Sequence, residues 1–126
     1  RSVLNVLATE TVKVGVGIDT VKRRNDYEAV MEDRESGGLM TAWSRPRKDD
    51  GCLGTAVIVP WVPEGRAVDT EGCTYLLRKV ANGEPFEWYM GAVWDKASPI
   101  RSAAGWEAEA RRVRECIGHP LQVRVR

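Results

Sequence analysis

The sequence predicts a mainly β fold: an antiparallel β-sandwich with one α-helix over about residues 102–117 and a final strand after it. Three observations carry this. Several short segments alternate apolar and polar residues with period two, as half-buried strands do. Turn-forming stretches rich in Gly, Pro, Asn and Asp separate them, short enough to join antiparallel neighbours. One segment, Ser102 to Ile117, switches to a helical period, with Trp106, Ala110, Val113 and Ile117 on one stripe. A chain of 126 residues with no internal repeat fits a single domain, 1–126.

The first strand is "TVKVGVGI", where Val12, Val14, Val16 and Ile18 share one face and Lys13, Gly15 and Gly17 the other. Bare glycines on one face mark a bulge or the close approach of a backbone or ligand. A polar loop, "IDTVKRRNDY", leads to a weaker strand in "DYEAVMEDRE". In "GLMTAWS", Leu39, Thr41 and Trp43 oppose Met40 and Ala42, and Pro46 is expected to stop the strand. "RPRKDDG" is a turn. "CLGTAVIVPW" is the most apolar strand and the expected centre of a sheet, ended by Pro60. "VPEGRAVDTEG" reads as a loop, "CTYLLRKV" as a strand and "ANGEP" as a turn on Asn82-Gly83. The next strand starts near Phe86 and runs through "EWYMGAVWDKA".

The helix has two candidate starts, a cap at Ser102 or Ser98 followed by Pro99. Glu107 and Glu109 fall in its early turns and Arg111, Arg112 and Arg114 in its later ones, the order a helix dipole favours. Gly118 and Pro120 end it. "LQVRVR" is expected as the final strand, with Leu121, Val123 and Val125 inward.

Composition excludes several function classes. Nineteen Lys and Arg against eighteen acids leave a net charge of +1, so there is no basic footprint for nucleic acid. No apolar run reaches the roughly 18 residues of a membrane-spanning helix. Cys52, Cys73 and Cys116 form no C-x-x-C pair, so no zinc or other metal site is expected. They read as small buried thiols, and an odd number permits at most one disulfide within the chain. Glycine-rich nucleotide loops and a G-x-S-x-G elbow are absent, and no cofactor is implied. His119, the sole histidine, lies between Gly118 and Pro120 and suits a capping or surface role better than that of a general base. The chain starts at Arg1-Ser2 without Met, so an earlier segment is expected to have been removed or to lie outside this sequence.

The aromatic residues are more informative: five Trp stand against one Phe. Trp and Tyr combine an apolar face with a polar edge and suit stacking on sugar rings. Trp106 belongs to the helix stripe and reads as core, while Trp61 could be core or surface. Trp43, beside Ser44 and Arg45 at a strand end, is a candidate for ligand stacking. In "EWYMGAVWDKA" parity puts Phe86, Trp88, Met90, Ala92 and Trp94 on a core face and Glu87, Tyr89, Gly91, Val93 and Asp95 on the other. A bulge at Gly91 would swap the parity beyond it and bring Trp94 and Lys96 to the side of Glu87 and Tyr89. Glu87, Tyr89 and Lys96 would then be candidates for acid–base chemistry, with Trp43, Arg45, Trp94 and Lys96 as candidate substrate-binding residues. Arg45 could clamp a carboxylate bidentately. The alternative is that Glu87 and Lys96 form a solvated or cross-strand ion pair.

"KVGVGI", "GLMTAW", "DDGCLGTAVIVP", "EPFEWYMGAVWDKA", the Trp-containing helix and "HPLQVRV" occur in an order that resembles the C-terminal half of an uncharacterised bacterial β-sandwich family. In that family the penultimate strand reads aromatic–aromatic–x–G–x–x–W–x–K, matched here by Trp88, Tyr89, Gly91, Trp94 and Lys96. The resemblance spans about Val12 to Val125. It implies polysaccharide degradation, beside unsaturated-uronyl hydrolases and polysaccharide lyases, and an extracellular or periplasmic location. Uronate-rich carbohydrate would be the partner, bound or processed by β-elimination or hydrolysis; the family supplies no established catalytic residue. A non-catalytic structural or interaction module is the alternative. Members more than twice this length imply a half-sandwich here. Its open edges would need a partner chain or homo-oligomer, or the chain would re-close as a smaller sandwich.

Overall fold

The computed structural model describes residues 2–3, 10–19, 26–34, 37–119 and 121. In chain order the elements are β1 (Ser2–Val3), β2 (Thr11–Ile18), β3 (Asp26–Asp33), β4 (Gly38–Arg47) and β5 (Gly51–Val59). Then come β6 (Gly65–Val68), β7 (Thr74–Ala81), β8 (Pro85–Phe86), β9 (Tyr89–Trp94) and α1 (Ala103–Gly118). All strand pairs are antiparallel. The main sheet has the order β3-β4-β5-β9, the second sheet β2-β7-β6, and β1 pairs with β8.

The main sheet is the middle of three layers. Directly opposite residues share a face. Met40, Val57 and Met90 form one such row, Ala42, Thr55 and Ala92 the next, and Ser44, Leu53 and Trp94 the third, all on the face toward the second sheet. Val16, Ile18, Leu76, Val80, Met40, Val57 and Val59 close the core between the sheets. The other face carries Leu39, Trp43, Ala56 and Ile58, which pack on Trp106 and Ala110 of α1. β5 is therefore central, as its apolar run predicts, and it needs apolar residues of both parities because both of its faces are covered.

Two glycines allow close contacts, Gly17 between neighbouring strands and Gly54 between layers. Gly17 faces the Thr74 carbonyl so tightly that a Cβ there would overlap it. A Cβ on Gly54 would lie 2.8 Å from both Trp106 Cγ and Val93 Cγ1. That bare spot receives the Trp106 indole, whose Nε1 donates to the Thr55 carbonyl at 2.9 Å.

The helix starts at the Ser102 cap, where Oγ accepts from Gly105 N–H at 3.1 Å. It ends with His119 as C-cap, its backbone N–H donating to the Glu115 carbonyl. The charges do not occupy the terminal turns. They pair laterally instead: Arg111 with Glu107, and Arg112 with Glu109. Arg111 and Arg114 both reach Asp33 of β3, at 2.7 and 3.1 Å, tying the helix to the sheet edge.

Several expectations are corrected. "VPEGRAVDTEG" is not only loop: Gly65–Val68 forms β6 against β7, because the Asp69 turn folds the chain back. Pro46 does not stop β4; pairing with β5 shifts register between Ser44 and Arg47, which absorbs the missing N–H. The strand near Phe86 is divided at Glu87-Trp88 into β8 and β9, which join different sheets. Only Cys52 is buried; Cys73 is half-buried and Cys116 exposed, and all three are free thiols. Leu121 is exposed rather than inward, and the rest of the final strand, with Val123 and Val125, lies outside the described residues, as does most of the "DTVKRRN" loop.

Asp69 organises the β6–β7 turn. Its Oδ1 accepts from the N–H groups of Glu71 and Cys73, and its Oδ2 accepts from Tyr75 Oη at 2.8 Å. The Tyr75 hydrogen bond leads in holding the Asp69 carboxyl below its usual pKa. That same bond raises the Tyr75 phenol from 10.0 to about 12. The tyrosine's contribution to stability is thus present below its unfolded pKa of about 10 and lost as pH rises through about 12. The aspartate's is present above its unfolded pKa and lost as pH falls through the lowered folded value.

Two outcomes are expected. Gly54→Ala destabilises by about 1–3 kcal/mol in urea unfolding through overpacking, whereas Gly65→Ala, whose Cβ would meet only Leu77 at 3.8 Å, does not crowd its surroundings. In a Tyr27→Phe/Tyr89→Phe background, phenolate absorbance titrates near 12, and the midpoint falls toward the ordinary tyrosine value in Asp69→Asn.

Candidate functional site

The C-terminal end of β9 meets the β4–β5 hairpin. Gly51 has φ 85, a left-handed turn conformation that favours glycine. It is also crowded: a Cβ there would lie 2.3 Å from Asp95 Oδ1. The turn thereby presents the Asp49 and Asp50 carbonyls to β9. Trp94 Nε1 donates to the Asp50 carbonyl at 2.7 Å, and Lys96 Nζ donates to the Asp49 carbonyl at 2.6 Å. Lys96 Nζ also sits 5.9 Å from the Trp94 ring centroid, within cation–π range. Asp95 N–H donates to the Cys52 carbonyl and Ala97 N–H to that of Trp94, closing the turn after the strand. The indole is held at its edge yet remains 46% exposed.

Gly91 carries no bulge. The β5–β9 ladder runs without a register shift from Leu53↔Trp94 to Ile58↔Tyr89. Trp94 therefore stays on the face of Met90 and Ala92, and Tyr89 stays on the helix-side face with Val93. The expected core face is buried only at Phe86; Trp88, Met90 and Trp94 are exposed. The reason is coverage: β2 packs over β4 and β5, and β9 lies outside that lid. A groove of about 460 Å³ remains there, lined by Ile18, Asp19, Leu53, Thr55, Met90 and Ala92 among others.

The structure brings some candidates together and separates others. Trp94 and Lys96 are adjacent. Arg45 is exposed at the same end of the sheet, one residue beyond the Ser44–Leu53–Trp94 row. Glu87 and Tyr89 sit at the opposite end of β9, roughly 17 Å from Trp94 by strand rise. There Tyr89 Oη donates to Glu87 Oε1. The Glu87 backbone carbonyl accepts from Trp61 Nε1 at 2.8 Å, and Trp61, buried, packs on Phe86 with centroids 5.4 Å apart. No ion pair joins Glu87 to Lys96, because their side chains point to different partners at different ends of the strand.

Two candidates change standing. Trp43 is 2% exposed, sealed between the main sheet and α1, so its indole has no open face for stacking. The Glu87 hydrogen bond raises the Tyr89 pKa, so the phenolate form that proton abstraction requires is disfavoured. Sequence reasoning missed the two hairpin carbonyls that anchor Trp94 and Lys96. The "KDDG" turn was their only signal, since a backbone acceptor leaves no residue-type signature. Among the described residues no cluster of His, Cys, Asp and Glu could hold a metal ion.

The architecture is that of a β-sandwich-like domain with a helix closing the outer face of its main sheet. The chain belongs to the family of the domain of unknown function DUF4861, whose model matches residues 3–123. No curated protein and no solved structure gave a significant match.

Exposure separates the tryptophans. Trp94→Ala is expected to leave the fold intact in circular dichroism and to cost clearly less than Trp43→Ala, for which about 3–5 kcal/mol is expected in urea unfolding.

Proposed function

We propose that this domain binds uronate-rich polysaccharide or oligosaccharide at the hairpin end of β9. The observation that carries the reading is Trp94: a half-exposed indole fixed by a hydrogen bond to Asp50, with the Lys96 ammonium beside it. An aromatic face suits the C–H face of a pyranose, and a neighbouring cation suits its carboxylate. The resemblance of Trp88, Tyr89, Gly91, Trp94 and Lys96 to a pattern from polysaccharide-degradation proteins supports the same class of ligand and an extracellular or periplasmic setting.

The proposal is for binding rather than turnover. A lyase needs a base and a hydrolase needs an acid–base pair within reach of one bond. Here the carboxylate–phenol pair and the tryptophan–ammonium pair occupy opposite ends of one strand. A purely structural module is the competing reading, favoured by the burial of Trp43 and Trp61.

Titration against a panel of oligouronates and neutral oligosaccharides tests this. Binding selective for oligouronates, weakened about tenfold or more (~1.4 kcal/mol) by Trp94→Ala and by Lys96→Ala, is expected. Equal binding by wild type and both variants would show the site assignment to be wrong.

A further inference from the structure

The outer face of the second sheet carries a pair of like charges. Directly opposite residues share a face. The β2–β7 and β6–β7 registers therefore set Lys13 beside Lys79 and place Gly15 and Gly65 on either side of Leu77, away from the core that Leu76 and Val80 fill. Both lysines are exposed. Neither ammonium has a hydrogen-bond or ion-pair partner among the described residues, whereas Arg34, Arg66, Arg111, Arg112 and Arg114 all pair with acids. A lone exposed lysine needs no partner, but two directly opposite each other repel. Glu64, just ahead of β6, forms no ion pair with them; its Oε2 accepts from the Lys79 backbone N–H at 3.3 Å. Beside the pair lies a hollow of about 260 Å³, lined by Lys13, Glu64, Gly65, Leu77, Arg78 and Lys79. The Arg78 guanidinium is engaged elsewhere, 5.7 Å from the centroid of the Trp61 ring. Glycine keeps the hollow open. Leu77 leans toward Gly15, whose Cβ would lie 3.1 Å from its Cδ2, and a Cβ on Gly65 would meet only Leu77 Cδ1, at 3.8 Å.

We propose that this hollow is a second binding site, which takes one uronate residue and is separate from the hairpin end of β9. The two ammoniums donate charge-assisted hydrogen bonds to its carboxylate, which relieves their repulsion. The Glu64 carboxylate can only accept, so the same ligand must bring a hydroxyl donor. Leu77 gives an apolar floor for a C–H face. A sugar ring with a carboxylate meets all three demands. A sulfate ion has no donor for Glu64 and would be repelled by it. The sugar ring rests on the carbohydrate reading above, while the charge pair and the hollow do not involve Trp94. The two sites are also far apart. From Lys13 to Ile18 the strand rises about 17 Å, and Ile18 lines the groove beside Leu53, the cross-strand partner of Trp94. Lys13 faces outward from the second sheet and Ile18 inward. A disaccharide cannot span that separation, so each chain holds one at each site.

Nuclear magnetic resonance titration of the full chain with digalacturonate, digalactose and sulfate ion tests the site. Digalacturonate is expected to shift the backbone amides of Gly65, Leu77 and Lys79, and digalactose and sulfate to leave them in place. Lys13→Gln and Lys79→Gln should each weaken those shifts about tenfold in concentration. Both should keep the wild-type circular dichroism, since the two side chains are exposed. Gly65→Val fills the hollow without removing a charge and should abolish the shifts, which separates a shaped site from diffuse attraction of anions. The Trp94 indole N–H reports the hairpin end of β9 in the same spectra. Its failure to move would remove that site alone and leave the hollow standing. Unshifted Gly65, Leu77 and Lys79 amides, shifts of equal size with sulfate or digalactose, or wild-type binding by both lysine variants or by Gly65→Val would overturn the proposal.

Discussion

The contact between Gly54 and Trp106 is the constraint on which the arrangement depends. The main sheet has apolar residues on both faces and so needs two covers. The second sheet supplies one. The other is a single helix, and it can lie close only where the sheet presents bare backbone. Gly54, flanked by Trp43 and Val93 in its cross-strand row, provides that spot. The Trp106 indole fills it, and its N–H finds an acceptor in the sheet instead of being buried without one. The Asp33 carboxylate then pins the far half of the helix through Arg111 and Arg114. One end of α1 is set by shape, the other by charge.

That cover also decides where ligand chemistry is available. Trp43 and Trp106 are spent between sheet and helix, and Trp61 is held against Phe86. Trp88 and Trp94 remain accessible because the second sheet stops short of β9. The difference lies in the width of the covering layer and not in the residues themselves. Trp94 is ordered without being buried, since its indole N–H is tied to a hairpin carbonyl. An aromatic side chain held this way meets a ligand with little rotamer freedom left to lose.

Much of the fold was legible in the residues. Period-two alternation identified β2 and β4, the apolar run of "CLGTAVIVPW" identified β5, "CTYLLRKV" read as β7, and the i, i+4, i+7 stripe with its Ser102 cap identified α1 to within one residue at each end. What failed has physical reasons. β6 is four residues long with an ordinary turn composition, and its existence rests on the Asp69 hydrogen bonds, which bridge residues local pattern does not connect. The parity of β9 holds without the swap that a bulge at Gly91 would have made, yet parity tells which residues share a side and not whether that side is covered. Trp43 misled for the same reason: its strand-end position suggested access, but the helix packs over that end. The candidate site was legible in the "WDK" segment and illegible in its anchors, which are main-chain carbonyls.

The β2–β7 ladder bears on how the chain reaches this state. β3, β4 and β5 are consecutive and meet through short connections, so their pairing needs little loop closure. β2 pairs with β7 over eight residues although β3 to β6 lie between them in the chain, and β5 awaits β9 across the whole β6–β7 hairpin. Such non-local pairings lose chain entropy before they return contacts, which slows folding relative to helical domains of similar size. A ribosome releases β3–β5 well before β7 and β9 exist. During that interval the apolar faces of the meander have neither cover, and the nascent chain is then most exposed to aggregation and to chaperone capture.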